Sequence, residues 1–226
     1  MPDRYCIKDG YIAQASAHTV EASPGDYWQP WRVRESARYQ YDVYRAARVA
    51  ADEAGLRTVA DVGCGTGVKL HHFFEGFDVA AFDQPTVEPL VRRYAPSACF
   101  CPIDLAAPTP TDARFDLVIC ADVVEHLLDP DPCMNFLRAI TDRLCFISTP
   151  ERDIVRGPDC MGSVKNVHVR EWNAREFAAY VHSRGFEILR HELLPPARLD
   201  ADASIDPDAI SRTTHGCQLI VCRPIG

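Results

Sequence analysis

The 226-residue chain has no long apolar run, no excess of positive charge, no CxxC pair, no repeat and no low-complexity tract. Each absence removes a class of protein. Crossing a bilayer as a helix takes ~20 apolar residues, and the runs here are only a few residues long. The opening Met1-Pro2-Asp3-Arg4-Tyr5-Cys6 lacks the apolar stretch of a secretory signal, so a cytoplasmic protein is expected. Lys and Arg total 24 against 32 for Asp and Glu, giving a net charge of −8. Proteins that grip a phosphate backbone show a basic stripe, so this deficit makes nucleic acid an unlikely partner. It also argues against docking on anionic membrane. The ten cysteines make no CxxC pair, Cys99 and Cys101 being the closest two. Cys99, Cys101, Cys120, Cys145 and Cys222 sit in apolar runs, where a free thiol behaves as a small hydrophobe. Reduced thiols in a core are therefore expected, not a disulfide framework.

What is present alternates. A helical pattern runs from Val33 to Ala54, with Gly55 as its C-cap. Strands are predicted at Thr58 to Val62, Phe77 to Phe82, Ala98 to Ile103, Phe115 to Ala121 and Leu144 to Ser148. Helices are predicted at Val68 to Phe74, Thr86 to Tyr94 and Met134 to Asp142. This βαβα rhythm implies an α/β fold, with a parallel sheet covered on both faces. Glu151 to Trp172 reads as one long loop, of the kind that serves as a lid or stays disordered. Asn173 and Glu176 form a capping box for a helix reaching His182. Phe186 to Leu194 and Cys217 to Cys222 read as two more strands, and Pro195 to His215 between them as an exposed excursion.

The strongest local signal is Asp61-Val62-Gly63-Cys64-Gly65-Thr66-Gly67, a glycine turn between strand and helix. Glycines there let the backbone turn tightly and approach a ligand, and the helix N-terminus behind them favours an anionic group. A dinucleotide fingerprint would be GxGxxG, with its third glycine where Val68 stands. A nucleotide-dependent (NAD(P)) oxidoreductase is disfavoured on that spacing.

The stretch resembles the first motif of class I S-adenosylmethionine-dependent methyltransferases. The resemblance extends over most of the chain, through Asp83, Asp104 and Phe115-Asp116-Leu117-Val118-Ile119-Cys120-Ala121-Asp122-Val123-Val124-Glu125-His126-Leu127. It implies a Rossmann-like methyltransferase: a doubly wound, seven-stranded, mostly parallel sheet ending in an antiparallel hairpin over 186–222. Residues 1–54 would form an N-terminal helical cover over the substrate pocket, and residues 55–226 the core. The cofactor would be S-adenosylmethionine, held by Asp61, Gly63, Cys64, Gly65, Gly67, Asp83, Gln84, Asp104, Leu105 and Ala121. Asp83 would take the ribose hydroxyls, because a carboxylate accepts two hydrogen bonds from a vicinal diol. Asp104 would take the adenine amino group. Arg34 is a candidate for the methionine carboxylate, since Arg binds carboxylates bidentately.

The element Asp122-x-x-Glu125-His126, with His168 in Asn166-Val167-His168-Val169-Arg170-Glu171-Trp172, is similar to a subset of that class. The subset includes ubiquinone-pathway O-methyltransferases and small-RNA 2′-O-methyltransferases. The similarity implies a divalent cation (Mg, Mn, Fe or Zn) on Asp122, Glu125, His126 and His168. Without a metal, His126 or His168 would act as general base beside Glu125. The acidic chain favours a small-molecule hydroxyl, of carbohydrate or natural-product type, over RNA. N-methylation, and a non-catalytic partner that keeps the cofactor fold, stay open; so does a homodimer. Trp28, Trp31, Arg32, Arg34 and Tyr39 are candidate pocket residues. Ser148 to Asp153, Arg156 and Lys165 could hold an acidic or sugar-like acceptor.

Overall fold

The computed structural model describes residues 4–15, 28–194 and 217–226. Its centre is a seven-stranded sheet in the order β3-β2-β1-β4-β5-β7-β6. The strands are β1 (Thr58–Val62), β2 (Asp78–Asp83), β3 (Cys99–Pro102), β4 (Phe115–Ala121), β5 (Thr141–Pro150), β6 (Phe186–Leu194) and β7 (Cys217–Pro224). β1 to β5 pair in parallel, and β7 runs antiparallel between β5 and β6. The expected terminal hairpin is therefore present, and Pro195 to His215 lies outside the described residues.

The apolar strands are buried on both sides, as central strands of a parallel sheet must be. Their residues alternate between two cores. Ala60, Val118, Cys120, Cys145, Ile147 and Ile220 face α5 (Asp131–Ile140) and α7 (Ala174–Ser183). Val59, Leu117, Ile119, Phe146 and Leu219 face α2 (Tyr41–Ala54), α3 (Val68–Phe74) and α4 (Glu88–Tyr94). The strand order reverses between β1 and β4, and in such sheets ligands bind outside the carboxyl ends of the strands at that point. None of the described helices is long and apolar enough to cross a membrane.

Four expectations change. The predicted helix over 33–54 is two helices, α1 (Pro30–Glu35) and α2, joined by a turn. The turn contains no glycine or proline; Gln40 takes a left-handed conformation (φ 58°) because its side chain is tied to Asp122. The helix expected over Met134 to Asp142 starts at Asp131 and stops at Ile140, since Thr141 joins the sheet opposite Phe115. Cys99 is exposed and Cys101 half-buried, because β3 is the sheet edge; all ten thiols are free. The segment 151–172 is a built structure. It contains α6 (Arg152–Arg156), pairs Glu151 with Trp172, and receives the N-terminal residues as a strap. In that strap Ile12 N donates to Met161 O (2.8 Å) and Gln14 N to Val169 O (2.9 Å). Gln14 Nε2 reaches Lys165 O (2.8 Å), and Trp172 Nε1 donates to Tyr5 O (2.8 Å). The capping box closes as expected, with Glu176 N on Asn173 Oδ1 at 2.9 Å and Asn173 N on Glu176 Oε2 at 3.1 Å.

Candidate active site

The crevice has two halves. The first is a cradle around the glycine turn. Gly63, Gly65 and Gly67 all have positive φ (82°, 56° and 72°), a region costly for side-chain-bearing residues. Gly63 has a second reason to be glycine, since a Cβ there would collide with Val123 in the loop after β4. At Gly65 a Cβ would meet the Trp28 ring at 3.0 Å, so Trp28 covers the turn. Asp83 ends β2 beside it and accepts from Gly65 N and Gln84 N, each at 2.7 Å. Each carboxylate oxygen keeps lone-pair capacity for further donors. Burial pushes the Asp83 carboxyl up. Asp104 is exposed and accepts from Ala106 N at 2.9 Å; half-buried Leu105 lies beside it. Cys64 and Ala121 are buried at the base of the cradle.

Asp61 is buried behind the turn and accepts from the Tyr44 hydroxyl at 2.8 Å. Burial pushes its carboxyl up to about 7. Lys69, pulled down to about 8 by its own burial, donates to Ser36 O (2.8 Å) over the Tyr44 ring. Ser36 in turn meets the Thr66 hydroxyl at 2.9 Å. The turn between α1 and α2 is thus clasped to the glycine turn at one end and, through Gln40 Nε2 and Asp122 Oδ2 (2.8 Å), to the loop after β4 at the other. Arg34 is exposed. Arg38, in the clasped turn, is 8% exposed. Its Nη1 lies 3.8 Å from Glu35 Oε1, and none of its three nitrogens makes a hydrogen bond among the described residues. Sequence reasoning missed Arg38 because an unbroken helix over 33–54 gives that position no distinction.

The second half is a polar pocket at the end of β4 and β5. Glu125, His126 and His168 bring one ligand atom each to within 4.8 Å of one another. Asp122, the fourth residue expected there, does not join them. Its oxygens accept from Gln40 Nε2 (2.8 Å) and the Ser148 hydroxyl (2.7 Å), so its short side chain is spent on joining loops. Glu125 is 0% exposed, and neither of its oxygens makes a hydrogen bond of good geometry among the described residues, although the Thr149 side chain and its own peptide group lie close enough to pull its carboxyl down somewhat. Burial, then the charge of Asp122, pushes its carboxyl well up, against the pull of Lys165. His126 Nε2 is 4.0 Å from Glu125 Oε1. Burial, then His168, pulls the His126 imidazole down to about 3. Its Nδ1 is 2.6 Å from Val167 O, and the two rings stand edge to face with centroids 4.8 Å apart. His168 Nδ1 is 2.7 Å from Glu171 Oε1. Both rings therefore turn Nδ1 toward an oxygen, and neither Nε2 makes a hydrogen bond among the described residues.

Of the other acceptor-binding candidates, most are occupied. Arg152 is fully buried and forks onto Glu176 at 2.6 and 3.0 Å. Glu151 caps α6 and also accepts from Ala174 N. Arg156 is bound to Glu171. Trp31 is half exposed, with the Arg32 guanidinium over its ring at 5.0 Å.

Residues 33–191 match the family described as the methyltransferase domain. The chain belongs to that family. It is an S-adenosylmethionine-dependent methyltransferase with the Rossmann-like fold. No curated protein matches the sequence. Solved structures share the methyltransferase's fold. One is a 1,6-didemethyltoxoflavin-N1-methyltransferase of Burkholderia thailandensis with bound 1,6-didemethyltoxoflavin and S-adenosylhomocysteine. It is 20% identical over 81% of this chain and 79% of its own, with a TM-score of 0.58. Another is the protein complexed with the Haloferax volcanii Trm112 methyltransferase activator (17%, 89% and 97%, TM-score 0.67). A third is a TehB-like S-adenosylmethionine-dependent methyltransferase from Corynebacterium glutamicum (18%, 90% and 99%, TM-score 0.59).

Proposed function

We propose that this methyltransferase methylates a hydroxyl oxygen of a small molecule, and that Glu125, His126 and His168 hold a divalent cation for the task. The observation that carries this reading is the Glu125 carboxylate, fully buried with no well-formed hydrogen bond among the described residues and grouped with a nitrogen of His126 and of His168. A buried carboxylate of this kind needs a cation or a proton. One oxygen and two nitrogen donors suit Mn²⁺, Fe²⁺ or Zn²⁺ better than Mg²⁺. When bound, such an ion lowers the pKa of a coordinated hydroxyl. This arrangement is similar to the ubiquinone-pathway O-methyltransferase subset, with three ligands in place of four.

S-adenosylmethionine supplies a methyl group on an electrophilic sulfonium. The protein's work is to align donor and acceptor in a dry crevice, and alignment can supply ~7–11 kcal/mol. Asp83 receives the ribose hydroxyls, Asp104 lies beside it for the adenine amino group, and the glycine turn lets the backbone come close. Arg38, not Arg34, meets the methionine carboxylate: a buried guanidinium without hydrogen bonds is matched by a bidentate anion. The acceptor hydroxyl lies against His126 and His168, and its proton leaves toward an Nε2 when no ion is present.

The test is methyl transfer from radiolabelled S-adenosylmethionine to a panel of catechols, polyols and hydroxy acids. The assay is run after exhaustive chelation and again after adding back Mn²⁺. Loss of turnover with recovery on Mn²⁺ supports the cation. Full turnover after chelation removes it and leaves the general-base form, and a His168→Ala enzyme at full rate removes both.

A further inference from the structure

We infer that Glu171 is a positioning residue that fixes the tautomer of His168, with Arg156 and Tyr11 holding it for that purpose; this rests on the role given to His168 above. Glu171 is 0% exposed. Its Oε1 lies 2.7 Å from His168 Nδ1. Arg156 reaches both oxygens, Nε to Oε2 at 3.1 Å and Nη2 to Oε1 at 3.2 Å. The Glu171 peptide N–H donates to the Tyr11 hydroxyl at 2.9 Å, and Arg152 Nη1 donates to its carbonyl at 3.2 Å. Every polar group of the residue is thus engaged, and from segments far apart in the chain.

The chemistry follows from donor counting. An ionised carboxylate accepts hydrogen bonds and donates none. Arg156, a permanent cation, donates to both oxygens, so Glu171 stands as a carboxylate and the proton between it and His168 sits on Nδ1. A neutral imidazole has only one N–H, so Nε2 carries the lone pair. That leaves Nε2 as the atom available to the cluster with Glu125 and His126. The orientation is the one metal-binding and general-base histidines share, and an acidic partner on the far nitrogen is its usual cause.

The pair also differs from its neighbour. His126 is set by the Val167 carbonyl, a main-chain group that no substitution removes. His168 is set by a side chain, so its tautomer depends on one residue identity. Arg156 balances the Glu171 charge, so the unit adds no net charge to the pocket. Its contribution is orientation. The Tyr11 contact makes the N-terminal strap part of the same support.

The tautomer is read directly by long-range ¹H–¹⁵N correlation of the histidine rings in the ligand-free protein. In the wild type, His168 should show a protonated Nδ1 and a bare Nε2. In Glu171→Gln the amide can donate as well as accept, so the single tautomer should be lost while His126 keeps its own. Mn²⁺ affinity, from electron paramagnetic resonance of the free ion, should fall about 10–100-fold. S-adenosylhomocysteine affinity should not change. Tyr11→Phe removes one outer support and should cost a few-fold in Mn²⁺ affinity with the His168 tautomer kept. A wild-type His168 protonated on Nε2 overturns the inference without any variant. So does a folded Glu171→Gln protein with unchanged tautomer and Mn²⁺ affinity. A wild type that binds no Mn²⁺ but shows the expected tautomer defeats the metal reading and leaves this inference standing. If Glu171→Gln does not fold, the wild-type tautomer and Tyr11→Phe decide.

Discussion

The two halves of the crevice are built differently. Most of the cradle comes from a short stretch of chain, the glycine turn, the end of β2 and the turn after α1 within residues 36–84, to which Trp28, Asp104 and Ala121 are added. The polar pocket joins Glu125 and His126 to His168 and Glu171, with Tyr11 behind them. Strand ends set the cradle, and any chain that makes this sheet places them. Packing between distant segments sets the pocket, so on the proposed function the pocket is the half that is free to change with the acceptor.

Substitutions should separate the halves. The largest effect is expected for His168→Ala: methyl transfer falls roughly 10²–10⁴-fold while S-adenosylhomocysteine affinity by calorimetry holds. Equal losses in both would show that the halves are not independent. Next is Arg38→Met, which should weaken S-adenosylhomocysteine binding about 10–100-fold, as expected for a lost hydrogen bond to a charged group. Arg34→Ala should leave it as it is, and a larger effect from Arg34 would reverse their roles. Gly63→Ala should destabilise the protein by about 1–3 kcal/mol, from the positive φ and the contact with Val123. A thermal scan should show a loss of roughly 2–4 °C per kcal/mol.

The smallest effect tests the interior of the cradle. Folded Asp61 keeps its proton to about 7, whereas the unfolded chain loses it near 3.8. Between those values the folded state binds more protons, so stability falls as pH rises. Asp61→Asn removes that slope. The ligand-free wild type should lose more of its melting temperature between pH 5 and 7 than the Asn variant, and parallel curves would count against a raised Asp61.

Most of the cradle was legible in the sequence because its signals are local. The Asp61 to Gly67 turn, Asp83 after β2 and the capping box of α7 sit where their spacing placed them. The pocket was half legible. Glu125, His126 and His168 converge, yet Asp122 is drawn off by Gln40 and Ser148, contacts that no spacing in its own motif foretells. Arg38 was hidden because the break at residues 36–40 is imposed by tertiary hydrogen bonds and not by a turn residue. Glu171 carried one usable sign, its position three residues after His168. Segment 151–172 read as a loose loop because its partner strand of hydrogen bonds lies near the N-terminus, beyond the reach of any local window.

That strap has a consequence for the order of assembly. Residues 4–15 bond to positions about 150 residues further along the chain, so their closure is among the most expensive in loop entropy. They are expected to dock after the sheet exists and to come away before it. The amides of Ile12 and Gln14 should exchange with solvent hydrogen well before those of β1 and β4. If the strap opens alone, the supports it gives to residues 161–172 go with it while the glycine-turn cradle keeps its own.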